Sequence, residues 1–171
     1  MSCHILIIED QAAVREVVVE SIAEILVDIE IGEASSLAEG RVLFHSQHWD
    51  MVITDYNLGD GKGLDLIEEI REQGIDIPVI LISGFLSPSR VKRAQELAVN
   101  RVFAKPFRPF ELESAVKELL EKDMSGKQAD EAEARVEVSY QSGSSYHTEG
   151  RLLPKLFDMD RNQSLLFRII N

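Results

Sequence analysis

Met51-Val52-Ile53-Thr54-Asp55-Tyr56-Asn57 decides how this chain reads. An apolar and β-branched run meets a lone carboxylate, and the Gly-rich turn Gly59-Asp60-Gly61-Lys62-Gly63 follows at once. In a buried parallel strand such a run ends where the sheet meets solvent. Asp55 is therefore expected at the carboxyl edge of a sheet, where open α/β folds carry out their chemistry.

Working outward, other runs stop in the same way. Ile5 to Ile8 is a short β-branched run that halts at Glu9-Asp10 and predicts the first buried strand. Val14, Val18, Ile22, Ile25 and Leu26 recur at helical spacing over 12–27. Ile29 to Ala34 predicts strand two, and Ser35 or Ser36 can cap a helix carrying Leu37, Val42, Leu43 and Phe44. Asp50 to Thr54 is strand three. Leu64, Leu66, Ile67 and Ile70 mark a third helix that ends near Gly74, a glycine suited to a helix C-terminus. Ile77 to Ile82 predicts strand four, with Pro78 tolerated near its start, and it stops at Ser83-Gly84. Ser87-Pro88-Ser89 opens a fourth helix. Arg101 to Ala104 is strand five, stopping at Lys105-Pro106, and a fifth helix runs from Phe110 to near Lys122.

Five strands alternating with five helices predict an α/β, flavodoxin-like fold: a five-stranded parallel sheet of order 2-1-3-4-5, covered on both faces. Residues 1–122 form this domain. Residues 123–150, rich in Ser, Gly, Gln, Glu and Ala, read as a flexible linker. In 151–171, Leu152, Leu153, Leu156 and Phe157, then Leu165, Leu166, Ile169 and Ile170, are spaced for one helix face and predict a short amphipathic C-terminal element. With 30 acidic against 18 basic residues the net charge is -12, which argues against a nucleic-acid surface. The single cysteine, Cys3, excludes an internal disulfide and fits a cytoplasmic protein. Neither a signal-like start nor a membrane-crossing run is legible.

In the order 2-1-3-4-5, four strands bring Glu9, Asp10, Asp55, Ser83 and Lys105 to one crevice. Carboxylates packed together raise one another's pKa unless a cation intervenes. A hard, oxygen-preferring ion such as Mg²⁺ relieves this and takes phosphate oxygens as its remaining ligands. Asp55 is then the candidate nucleophile toward phosphorus, with Lys105 and the Ser83 hydroxyl available to the phosphoryl oxygens. Weaker patterns have plainer readings. Asp55 alone could cap its turn, His45 and His48 lack a third metal ligand, and Asp158-Met159-Asp160 lacks the glycine and final acid of a calcium loop.

Taken together, Glu9-Asp10, Asp55, Ser83-Gly84 and Lys105-Pro106-Phe107 resemble the receiver domain of bacterial two-component response regulators, over residues 4 to about 122. The resemblance implies a CheY-like fold, Mg²⁺ as cofactor, and phosphoryl transfer onto Asp55 from a histidine kinase or histidine phosphotransfer protein. It implies metal ligation by Glu9, Asp10, Asp55 and the main-chain carbonyl of Asn57, with Ser83 as hydroxyl switch and Lys105 as the conserved-type lysine of the pattern. Output is then expected to pass to a protein target through the helix 4 to helix 5 face or the C-terminal element, with room for a homodimer; the net charge and hydropathy predict neither nucleic acid nor membrane as partner. The sequence departs from the pattern at two places, and Phe85 stands at a position that tunes dephosphorylation. Gly59 stands where a proline is usual, predicting a looser loop. Val102 stands where a switch aromatic is usual, and Phe103, one residue on, is expected on the opposite sheet face. Phe85, two beyond the hydroxyl, predicts obstruction of attacking water. The competing reading is an aspartyl-phosphate phosphatase of the haloacid dehalogenase type, whose second aspartate is replaced here by Asn57.

Overall fold

The computed structural model describes residues 3–125, 135–140, 145–148 and 165–170, with side chains described through Lys122. Along the chain lie β1 (Cys3–Ile8), α1 (Ala12–Ile25), β2 (Ile29–Ala34), α2 (Leu37–Ser46) and β3 (Met51–Asp55). A two-residue ribbon follows, β4 (Asn57–Leu58) against β5 (Gly61–Lys62), then α3 (Gly63–Glu72), β6 (Val79–Ser83), α4 (Pro88–Glu96), β7 (Arg101–Ala104) and α5 (Pro109–Ser125). Strands β2-β1-β3-β6-β7 pair in parallel in that order. With the ribbon set apart, this is the predicted 2-1-3-4-5 sheet.

Period-two alternation sends the strand side chains to two cores. Leu6, Ile8, Val52, Leu81 and Val102 pack with Leu37, Phe44, Leu66, Ile67, Val91 and Ala94, so α2, α3 and α4 cover one face. Ile5, Ile7, Ile53, Ile82 and Phe103 pack with Val18, Ile22, Leu112 and Val116 from α1 and α5 on the other. Each of these side chains other than that of Ala94 contributes about 1.5–3 kcal/mol on burial.

Local signals fix the ends of the elements. Ser36 caps α2 by accepting from the Glu39 N–H at 3.1 Å, and Ser87 caps α4 with Pro88 in its first turn. Gly74 takes φ +73° just past α3, the left-handed conformation that glycine adopts without strain. Pro78 lies before β6 and not within it; its carbonyl accepts from Val52 N at 3.0 Å. At the end of the sheet opposite the carboxyl edge, Arg71 on α3 donates to the carbonyls of Leu97, Ile75 and Ile77 at 3.1, 2.8 and 2.9 Å, tying α3, α4 and the entry to β6 together.

The C-terminal region departs from expectation. Residues 165–170, read as part of a helix face, form β10 (Leu165–Ile170), antiparallel to β7 and to β8 (Arg135–Tyr140), which in turn pairs with β9 (Ser145–Thr148). Two of these strands lie inside the stretch read as a linker. A six-residue apolar run fits helix and strand spacing equally. Here β7 offers an unpaired row of N–H and C=O groups, which a strand satisfies and a helix does not. The rest of the proposed C-terminal element, including Leu152, Leu153, Leu156 and Phe157, lies outside the described residues.

Candidate functional site

The parallel sheet delivers its strand ends to one edge. Glu9 and Asp10 follow β1, Asp55 ends β3, Ser83 ends β6 and Lys105 follows β7. Backbone bonds across the edge hold these residues in register: Glu9 N donates to Ala34 O at 3.0 Å, Tyr56 N to Ile82 O at 2.7 Å and Lys105 N to Ser83 O at 2.8 Å. Helix α3 begins against the same strand, where Gly63 N donates to Tyr56 O at 3.1 Å. A Cβ at position 63 would lie 2.2 Å from the Asp55 carbonyl oxygen, so only glycine permits this approach.

Glu9 is 1% exposed, Asp55 4%, and Asp10 is open to solvent. The Lys105 ammonium lies 2.7 Å from Glu9 Oε2 and 3.1 Å from Asp55 Oδ1. The one ammonium thus bridges the two buried carboxylates. The other oxygens are engaged: Glu9 Oε1 accepts from Gln11 N at 3.2 Å and Asp55 Oδ2 from Asn57 N at 3.0 Å. Burial raises the pKa of both Glu9 and Asp55, against the lowering influence of Lys105.

One oxygen each from Glu9, Asp10 and Asp55 can lie within 4.8 Å of one another. Three carboxylates beside one ammonium leave an excess of negative charge. That donor set fits a hard divalent cation, whose preferred ligands are oxygens. Asn57, also predicted as a ligand through its carbonyl, is exposed on the ribbon two residues after Asp55. The Ser83 hydroxyl is buried and donates to Phe85 O at 2.9 Å.

A family model described as the response regulator receiver domain matches residues 5–117. The chain belongs to this family. Regulatory protein VirG of Agrobacterium fabrum is 34% identical over 105 residues, covering 61% of this chain and 40% of that protein. The phosphate regulon transcriptional regulatory protein PhoB of Pseudomonas aeruginosa is 26% identical over 136 residues, 78% of this chain and 57% of that one. Among solved structures, the N-terminal domain of an uncharacterized protein from Wolinella succinogenes aligns at 28% identity with TM-score 0.67, over 72% of this chain and 98% of its own. The chemotaxis response regulator CheY4 of Vibrio cholerae shares the fold, with TM-score 0.62, 18% identity and coverage of 70% and 99%. This receiver chain spans about half the length of the curated relatives it matches.

Within the receiver, Val102 and Phe103 fall in different cores, as their neighbouring positions on β7 require. Phe103 instead meets Phe107, with ring centroids 6.2 Å apart. The loop after Asp55 is not the loose one that Gly59 suggests. Asp60 at its tip accepts from Leu37 N at 2.7 Å and Ala38 N at 2.8 Å, fastening the ribbon to the start of α2. Sequence reading also missed Arg90 of α4, whose guanidinium stacks 4.1 Å from the Tyr56 ring centroid. Neither partner is near in sequence, so no local pattern announces them. Among the described residues no helix is long and apolar enough to cross a membrane.

Proposed function

We propose that this receiver accepts a phosphoryl group on Asp55 from a histidine kinase or histidine phosphotransfer protein, in the cytoplasm, and signals through phosphorylation-dependent protein contacts. The observation that carries this reading is the Lys105 ammonium in ion-pair reach of both Glu9 and Asp55, within a cluster of three carboxylates. An Asp55 oxygen attacks phosphorus as the N–P bond of phosphohistidine breaks, and the imidazole nitrogen keeps that electron pair. Lys105 offsets the phosphoryl charge, and the Ser83 hydroxyl donates to a phosphoryl oxygen. Glu9, Asp10, Asp55 and the Asn57 carbonyl would hold Mg²⁺, which when bound supplies further positive charge for the phosphoryl oxygens.

On this reading the chain is a phosphoacceptor and not a turnover enzyme, with Phe85 slowing hydrolysis of the acyl phosphate. PhoB is by name a transcriptional regulator. For this chain the acidic balance of 30 to 18 favours output to a protein, through the α4–β7–α5 face or the C-terminal element, over a nucleic-acid partner. The test uses phosphoramidate, whose P–N bond stands in for phosphohistidine, with Mg²⁺ and intact-mass readout. One phosphoryl is gained by the wild type and none by Asp55→Asn. Steady turnover of an aryl phosphate that Asp55→Asn abolishes would instead favour the phosphatase reading.

A further inference from the structure

A second chain of contacts runs from the candidate site to the first turn of α4. The guanidinium of Arg90 lies over the ring of Tyr56, the residue directly after Asp55, at 4.1 Å from its centroid. It also lies 5.4 Å from the Phe85 ring centroid, and Arg90 Nη1 donates to the Phe85 carbonyl at 2.9 Å. That same carbonyl accepts the Ser83 hydroxyl at 2.9 Å. One oxygen thus joins Ser83 to Arg90, and one ring joins Arg90 to the neighbour of Asp55. Arg90 sits in the first turn of α4, its N–H directed at the capping Ser87 Oγ at 3.4 Å.

We infer that Arg90, with Tyr56 and the Phe85 carbonyl, relays the state of Asp55 to α4; this rests on the phosphoacceptor reading. A serine hydroxyl carries one proton. When Ser83 turns that hydrogen bond to a phosphoryl oxygen on Asp55, the Phe85 carbonyl loses one of its two side-chain donors and keeps Arg90. The 84–87 loop and the guanidinium then resettle together, and the first turn of α4, which bears Arg90, follows. Val102 is poorly suited to this role. It is fully buried, β-branched and therefore stiff about χ1, and carries no polar atom to pair with Ser83.

Arg90 is a positioning residue, so its test reads coupling and not fold. Amide exchange over residues 84–92 is followed in the full chain, with and without beryllofluoride and Mg²⁺, in wild type, Arg90→Ala, Tyr56→Leu and the double variant. Acetyl phosphate labelling by intact mass runs beside it. The wild type should change exchange in this segment by at least about fivefold between the two states. Each single variant should cut that ratio to below about twofold, the double variant should add nothing further, and labelling should persist in all of them. A merely structural role would alter exchange in both states equally and leave the ratio intact. An unchanged ratio in Arg90→Ala overturns this inference alone. Failure of the wild type to label overturns the phosphoacceptor reading and this inference with it.

Discussion

At the residue scale, Glu9 and Asp55 are buried carboxylates that share the Lys105 ammonium. Burial raises both pKa values, so the fold binds protons that the unfolded chain releases. For groups raised in this direction, their contribution is most favourable below the ordinary carboxylate range, about pH 4, and declines as pH rises through the raised values. At neutral pH without divalent metal, Asp55→Asn should therefore raise Tm, because Lys105 keeps Glu9 and one buried charge is gone. The gain should shrink on acidification and on adding Mg²⁺, as followed by thermal melts across pH. The meeting of these site residues at one sheet edge was legible in the sequence because each stands where an apolar run stops. Arg90 was not, because Tyr56 lies far away in the chain and a surface arginine in a first helical turn carries no signal of stacking.

At the element scale, two clamps hold the layers. Asp60 closes the ribbon onto α2, and hydrogen bonds from Ala38 and Leu37 N–H groups lower its pKa. A depressed carboxylate contributes stability above the unfolded value, about 4, and loses it as pH falls through the folded value. Asp60→Asn should thus be less stable than wild type at pH 7, and urea titrations should find the two converging in acid. At the opposite end, Arg71 satisfies carbonyls from three segments while burial pushes its own pKa down. Its exposed partner Asp76 adds little. Arg71→Ala should cost about 2–4 kcal/mol in urea unfolding, from several lost charged hydrogen bonds. Helices and parallel strands were readable because their periods and caps are local. The strand at 165–170 was not, because only the open edge of β7 distinguishes it from a helix.

At the scale of the whole molecule, a βα succession gathers four strand ends into one crevice. The parallel sheet, the family match over 5–117 and the carboxylate cluster agree on a receiver. Asp55 is its proposed phosphoacceptor. Acetyl phosphate with Mg²⁺, followed by intact mass of wild type, Asp55→Asn and an EDTA-treated control, decides whether it is. A single phosphoryl adduct on the wild type, absent from Asp55→Asn and from the chelated sample, is the predicted result. No adduct on the wild type, or one that survives Asp55→Asn, would contradict it.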